Sequence, residues 1–498
     1  VSLYKKTGWP VNLLVSPFFY PDICCLMKVR PLLSAFSLPS GSMTTQDIYN
    51  AQQAFFATGK TNAYKFRKQQ LKLLKKAIKR HERDILAALD ADLRKHPFEA
   101  YSSEVGFLYV EINHLLDHLR DWMKPEIVSS PFLMYPSKSR IYRVPLGLTL
   151  IIGPWNYPFQ SILAPLAGAM AGGNCAILKP SELAPHSSAV MAKLIRETFD
   201  PAYITTLEGD GSVVIPDIMQ HRFDHIFFTG STTVGRKILE MATPHLTPVT
   251  LELGGKSPCI VDDKVDITVA ARRIVWGKYW NAGQSCVAPD YVLVHSKVKE
   301  ALVEAMKKAI GQFFGENPVN SPDYARIINQ KRFRTLNSYL QQGKVIHGGV
   351  TNENELYIAP TLLEGVSWNS PVMEEEIFGP ILPILSFDRL EDAVQLIRQQ
   401  PYPLSLYLFS KRSSTEKLFI EQTRFGGGCI NNTLVHLTNP ELPFGGIGPS
   451  GSGQYHGKYS FTTFTHAKSI LKTGTWLDIM MKYPPFKNNL KLLRIFMR

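Results

Sequence analysis

The period of apolar positions changes near residue 128. Before it, apolar residues recur three and four apart between strong helix formers. Tyr64 to Leu93 is therefore predicted helical, and another helix spans Ala100 to Met123 and stops at Pro125. After it, Ser137-Lys-Ser-Arg-Ile-Tyr-Arg-Val144 alternates in the manner of an exposed strand. Leu148-Thr-Leu-Ile-Ile152 is instead a short apolar run closed by Gly-Pro, as in a strand buried on both faces. Strands and helices then alternate: Cys175 to Leu178, a helix after Pro185, a strand near Tyr203 to Leu207, His225 to Phe228, a helix from about Thr233, and Val249 to Leu253. That rhythm predicts a parallel sheet with helices on both faces. A second alternating stretch runs from about Ala271 to Phe425 and includes the apolar strand Ile381 to Phe387. Two α/β domains is the coarse result.

Composition changes this picture little. A chain of 498 residues exceeds one hydrophobic core, which agrees with two or three domains. No run of eighteen or more apolar residues predicts a membrane-spanning helix. The six cysteines, Cys24, Cys25, Cys175, Cys259, Cys286 and Cys429, form no C-x-x-C pair. Neither a disulfide framework nor a metal is expected, and a reducing, cytoplasmic setting fits best. The net charge of +13 raises nucleic acid or an anionic membrane as partners, but it is spread along the chain. Lys72 to Arg80, its clearest cluster, reads as the solvated face of a helix, and no nucleic-acid partner is expected.

Residues 1–42 look foreign. Val1-Ser-Leu-Tyr-Lys-Lys-Thr-Gly8 resembles the scar of recombinational cloning, and Ser40-Gly-Ser42 before Met43 reads as a linker. The rival reading is a signal peptide, with Lys5 and Lys6 ahead of Val11 to Val15, interrupted by Pro10, Pro17, Pro21 and Asp22. Without the four Lys/Arg and one Asp of this leader the net charge falls from +13 to +10.

Five segments carry candidate chemistry. Asn281-Ala-Gly-Gln-Ser-Cys286-Val-Ala-Pro289 offers a thiol, and Leu251-Glu252-Leu-Gly-Gly255 a carboxylate before a glycine turn. His225-Ile-Phe-Phe-Thr-Gly230-Ser231-Thr232-Thr233-Val234-Gly235 runs from strand through turn to helix start. It either presents backbone N–H groups to a phosphate or simply turns the chain. Gly153-Pro-Trp-Asn156-Tyr-Pro158 follows a buried strand, and Asn156 is either an oxyanion donor or a turn former. In Lys179-Pro-Ser-Glu182 the charged pair either contacts cofactor hydroxyls or caps the next helix.

Taken together, and in their order along the chain, the five segments resemble the aldehyde dehydrogenases. The resemblance extends to Glu374-Glu-Glu376-Ile-Phe378-Gly-Pro380 and Pro443-Phe-Gly-Gly446-Ile-Gly, and covers nearly all of the chain from Met43. Tyr157 and the ending Tyr455-His-Gly-Lys-Tyr-Ser-Phe461-Thr-Thr-Phe-Thr-His466 are similar to the class 3 branch, which acts on fatty and aromatic aldehydes.

The resemblance implies a Rossmann-like cofactor domain, a second α/β catalytic domain and a small bridging β segment. Residues 43–128 and 148–251 would bind NAD(P), and 252–428 would carry catalysis. Residues 129–147 and 455–475 would bridge subunits of a homodimer. Cys286 matches the nucleophile, assisted by Asn156 and its own N–H at the oxyanion, with a thiohemiacetal and then a thioester. Glu252 matches the residue that activates water, with Glu376 as the alternative base. Lys179 and Glu182 match the adenosine ribose contacts, and Gly230 to Gly235 the pyrophosphate turn with Val234 near the adenine. Glu376 and Phe378 match the nicotinamide riboside contacts. A carboxylate at Glu182 favours NAD, with NADP as the alternative.

The basic tail, 476–498, is at most amphipathic and too short to span a bilayer, so no stable membrane insertion is expected. Two rival functions stand beside aldehyde oxidation: an acylating enzyme that passes the thioester to coenzyme A, and a binding protein that kept the fold without catalysis.

Overall fold

The computed structural model describes residues 44–486 and 489–497, so the leader expected over residues 1–42 lies outside the described residues. The stretch predicted as one helix forms two, Tyr64–Arg80 and Glu82–Leu93. The break falls at His81 (φ −98°, ψ 10°), whose buried ring lies 3.5 Å from Asp84 and 3.3 Å from Glu197. A tertiary contact overrides local propensity there. The helix expected from Ala100 contains a π turn, Tyr101–Val105, before the regular helix Gly106–Trp122.

Strands β1 (Glu126–Val128) and β2 (Ser137–Pro145) come first. They are followed by β3 (Leu148–Ile152), β4 (Cys175–Lys179), β5 (Ile204–Thr206), β6 (His225–Thr229) and β7 (Val249–Glu252). Next are β8 (Pro258–Val261), β9 (Tyr291–His295), β10 (Lys344–His347), the short pair β11 (Thr351–Asn352) and β12 (Tyr357–Ile358), and β13 (Thr361–Glu364). The chain continues with β14 (Ile381–Phe387), β15 (Ser405–Phe409), β16 (Gly427–Ile430), β17 (Gly451–Ser452) and β18 (Thr465–Thr473).

The first large sheet has the order β17-β7-β6-β3-β4-β5 and is parallel except for β17. Its parallel strands are doubly wound, and the order reverses between β3 and β6, where open α/β sheets place ligands. β3 and β4 are buried at every position, as their unbroken apolar runs require. The second sheet, β10-β13-β14-β9-β8-β15-β16, is parallel except for β10. Each sheet has its own apolar core. A third, antiparallel sheet, β1-β2-β18, contains the alternating strand read from the sequence. The α/β expectation therefore holds. The crossing between large sheets falls just after Glu252, and helix Gly457–Thr463 packs on the helices of the first sheet rather than on the small one.

Candidate active site

The thiol loop is held by backbone geometry that the sequence does not advertise. Helix Ile267–Tyr279 ends at Trp280, and Asn281 (φ 52°), Ala282 (φ 50°) and Gly283 (φ 74°) then take left-handed conformations in a row. Only glycine fits at 283, where a Cβ would collide with the Gly379 carbonyl. Gln284 clamps the loop. Its amide donates to the carbonyls of Asn281 (3.1 Å) and Arg326 (2.9 Å), and its Oε1 accepts from Ile328 N–H at 3.0 Å. The Gln284 carbonyl accepts from Asn156 Nδ2 and Asn281 Nδ2, each at 3.1 Å. Cys286 follows, partly exposed, ahead of the amino end of β9.

Asn156 is buried after β3 and reaches this loop through its amide. One amide hydrogen serves Gln284, leaving one for other acceptors. Its own carbonyl accepts from Lys95 Nζ (2.7 Å) and Asn281 Nδ2 (3.1 Å). Lys95 is buried beside Glu104 (3.4 Å) and over the Tyr157 ring at 4.2 Å. Glu104, carried by the π turn, also accepts from Phe159 and Gln160 N–H at 3.0 and 2.7 Å. It thereby satisfies the amino end of helix Gln160–Gly172. Sequence reasoning missed Lys95 and Glu104, because no local pattern separates this pair from ordinary helix charges.

A cavity of about 410 Å³ opens at Cys286, walled by Phe98, Trp276, Trp280, Leu437 and Phe444, with no Lys or Arg on its lining. Glu252, at the carboxyl end of β7, reaches the same cavity. Both of its carboxylate oxygens are buried, and among the described residues neither has a hydrogen-bond partner. Burial raises its pKa well above the ordinary carboxylate range. Burial also pushes the Cys286 thiol up, reinforced by the charges of Glu376 and Glu252, while N–H groups of Cys286 and Val287 pull the other way. Glu376 is pushed up to about 8 by burial and then by Asp290, against the Gly255 N–H, Arg332 and Lys256. Its carboxylate presses on Gly254, where any Cβ would clash with it. Nearby, Phe378 takes a left-handed backbone (φ 47°) and meets Trp155 edge-on at 5.4 Å.

The remaining predicted residues gather at the carboxyl ends of the first sheet. Gly230 follows β6 and donates to the Glu252 carbonyl at 3.0 Å. Ser231 caps helix Thr232–Ala242 by accepting from Val234 N–H at 3.3 Å, so the first-turn amides of Thr232 and Thr233 point out of a positive helix end. Gly235 lies buried within this helix, and Val234 is exposed. Thr229 Oγ1 is buried without a partner beside this turn. At the end of β4, buried Lys179 donates to the Pro180 carbonyl (2.7 Å) and to Glu182 (3.0 Å), whose carboxylate is half exposed facing Gly211. An anion-ready helix end, an orphaned hydroxyl and an accessible carboxylate suit a dinucleotide.

The aldehyde dehydrogenase family profile matches residues 40–470. The 4,4'-diaponeurosporen-aldehyde dehydrogenase of Staphylococcus aureus is 49% identical over 455 residues, covering 91% of this chain and 99% of that protein. Dimeric NADP-preferring aldehyde dehydrogenase of Rattus norvegicus is 44% identical over 446 residues, covering 89% and 98%. A substrate-bound structure of Staphylococcus aureus AldH superposes with a TM-score of 0.89 at 48% identity, covering 92% of this chain and all of that one (100%). The chain belongs to the aldehyde dehydrogenase family, and is an NAD(P)-dependent aldehyde oxidoreductase with class 3 relatives.

Proposed function

We propose that the chain oxidises apolar aliphatic or aromatic aldehydes to carboxylic acids, with Cys286 as nucleophile and Glu252 as the base that activates water. The observation that carries this reading is the cavity, whose apolar walls hold a thiol and an unpartnered carboxylate. With its proton lost to solvent, the Cys286 sulfur attacks the carbonyl carbon, forming a C–S bond while the C=O π pair moves to oxygen as an oxyanion. The spare amide hydrogen of Asn156 and the Cys286 N–H donate to that oxygen. NAD(P)⁺ would supply the hydride acceptor: as the oxyanion re-forms C=O, the C–H bond gives up its electron pair as hydride and a thioester remains on Cys286. Lys179 and Glu182 would hold the cofactor's adenosine ribose, the turn from Gly230 to Gly235 its pyrophosphate, and Glu376 with Phe378 its nicotinamide riboside. Glu252 then takes a proton from water as the water attacks the thioester carbon. The C–S bond breaks, and the sulfur leaves as the acid forms.

NAD is the favoured cofactor, since a carboxylate at Glu182 accepts from a ribose 2′-OH and repels a 2′-phosphate. Unpaired cysteines at the four described positions support a cytoplasmic setting. Among the described residues no helix is long and apolar enough to cross a membrane. The exposed strand β18 supports a homodimer in which the small sheet extends the partner's sheet, which light scattering after gel filtration tests. The activity test is a panel of long-chain alkanals, benzaldehyde, betaine aldehyde and a polyene aldehyde, with NAD or NADP. Reduced cofactor and free acid from the apolar members are expected without coenzyme A. Acyl-CoA as the product, or oxidation of betaine aldehyde alone, would overturn the proposal.

A further inference from the structure

Helix Gly106–Trp122 carries His114 and His118 one turn apart, so both rings lie on one face. Their centroids are 4.3 Å apart, and His118 stacks on Trp122 at 5.3 Å. Glu441 comes to the same place from far along the chain, with Oε1 3.7 Å from His114 Nε2. One nitrogen or oxygen from each of the three residues lies within 4.8 Å of the other two. The His114 side chain is only 10% exposed, and its buried Nε2 has no hydrogen-bond partner. His118 Nδ1 lies 2.9 Å from the His114 carbonyl. With its proton donated there, the lone pair falls on Nε2. Imidazoles that bind metals are commonly held by such a carbonyl, which fixes the tautomer.

We propose that His114, His118 and Glu441 bind one divalent transition-metal ion of the zinc class, with water completing its shell. Two imidazoles and a carboxylate suit zinc, nickel or copper; calcium and magnesium prefer oxygen alone. Metal–ligand bonds of about 2.0–2.2 Å set tetrahedral ligand atoms roughly 3.3 Å apart, close to the 3.7 Å between Glu441 Oε1 and His114 Nε2. The six cysteines, which form no C-x-x-C pair, had predicted no metal. The ion would tie helix Gly106–Trp122, which lends Phe107 to the substrate cavity, to the segment bearing Leu437, Thr438 and Phe444 on its wall.

The test uses the full chain carrying Cys286→Ser, so that the nucleophile does not compete, freed of metal with a chelator and titrated with Zn²⁺ by calorimetry. One Zn²⁺ site is expected that His118→Gln and Glu441→Gln each weaken at least tenfold. Glu441 is 71% exposed, so its substitution leaves folding intact. Ni²⁺ should quench tryptophan fluorescence, and Trp122→Phe should remove most of that quenching. Parent-like Zn²⁺ affinity in both His118→Gln and Glu441→Gln would overturn the proposal. Binding is read without turnover, so the result is independent of the aldehyde chemistry.

Discussion

Two carboxylates act on the Cys286 thiol, and their surroundings could hardly differ more. Glu252 ends a strand of the first sheet, buried, with neither oxygen satisfied. Glu376 sits in the loop before β14, pressed on Gly254, under the influence of the Gly255 N–H, Asp290, Arg332 and Lys256. Both pKa values rise through burial, but among the described residues no donor reaches either Glu252 oxygen, which leaves its lone pairs to a water. The comparison teaches that solvation separates roles that charge alone would leave equal. A bare carboxylate in an apolar pocket favours proton removal, and a tethered one favours accepting hydrogen bonds from hydroxyls.

The comparison is broken most severely at the thiol whose pKa both groups raise. Cys286→Ser should lower steady-state NADH formation by about 10⁴-fold or more; activity near the parent's would remove the premise. Glu252→Gln should slow acid release by about 10³-fold while preserving one equivalent of NADH in a stopped-flow burst. A thioester that accumulates in Glu376→Gln instead, detected by intact mass, would exchange the two roles.

A pH profile sharpens the contrast further. Because the Glu252 pKa is raised, its base form grows with pH, and turnover should climb from neutral into alkaline solution by up to about tenfold per unit. Glu252→Gln should flatten that limb, and Glu376→Gln should retain it. The smallest effect belongs to Glu376→Gln itself, which should weaken cofactor binding by about tenfold, as loss of a charged hydrogen bond predicts. Equilibrium titration of cofactor fluorescence measures it, and unchanged affinity would free Glu376 from that contact.

The legible parts of this molecule are those whose causes lie close together in the chain. The strand–turn–helix from His225 to Gly235 was predictable because period, glycine and cap are contiguous. Cys286 and Glu252 stood out through the residues beside them. Asn156 was only half readable: its position after β3 followed from the buried run, but the use of one amide hydrogen on Gln284 did not. The π turn at Tyr101–Val105 keeps nearly the same apolar spacing as an α-helix, so pattern cannot reveal it. Lys95 under the Asn156 carbonyl, and Asn281 and Ala282 in left-handed conformations, depend on partners distant in sequence. Tertiary contacts select such states, and local propensity does not announce them.

The two-residue strand β17 has a consequence for biosynthesis. Gly451 pairs with Glu252, and Leu253 donates to the Ser450 carbonyl at 3.1 Å, so a late segment closes the sheet edge that bears the carboxylate. Helix Gly457–Thr463 then covers helices of the first sheet, and β18 covers β2. On the ribosome the first sheet must wait for these residues with its β7 edge unpaired. A nascent chain stalled before Gly451 holds every predicted catalytic residue and lacks the closure that sets Glu252. Until that segment emerges, the β7 edge is an unpaired strand of the kind that makes partly folded chains prone to aggregate.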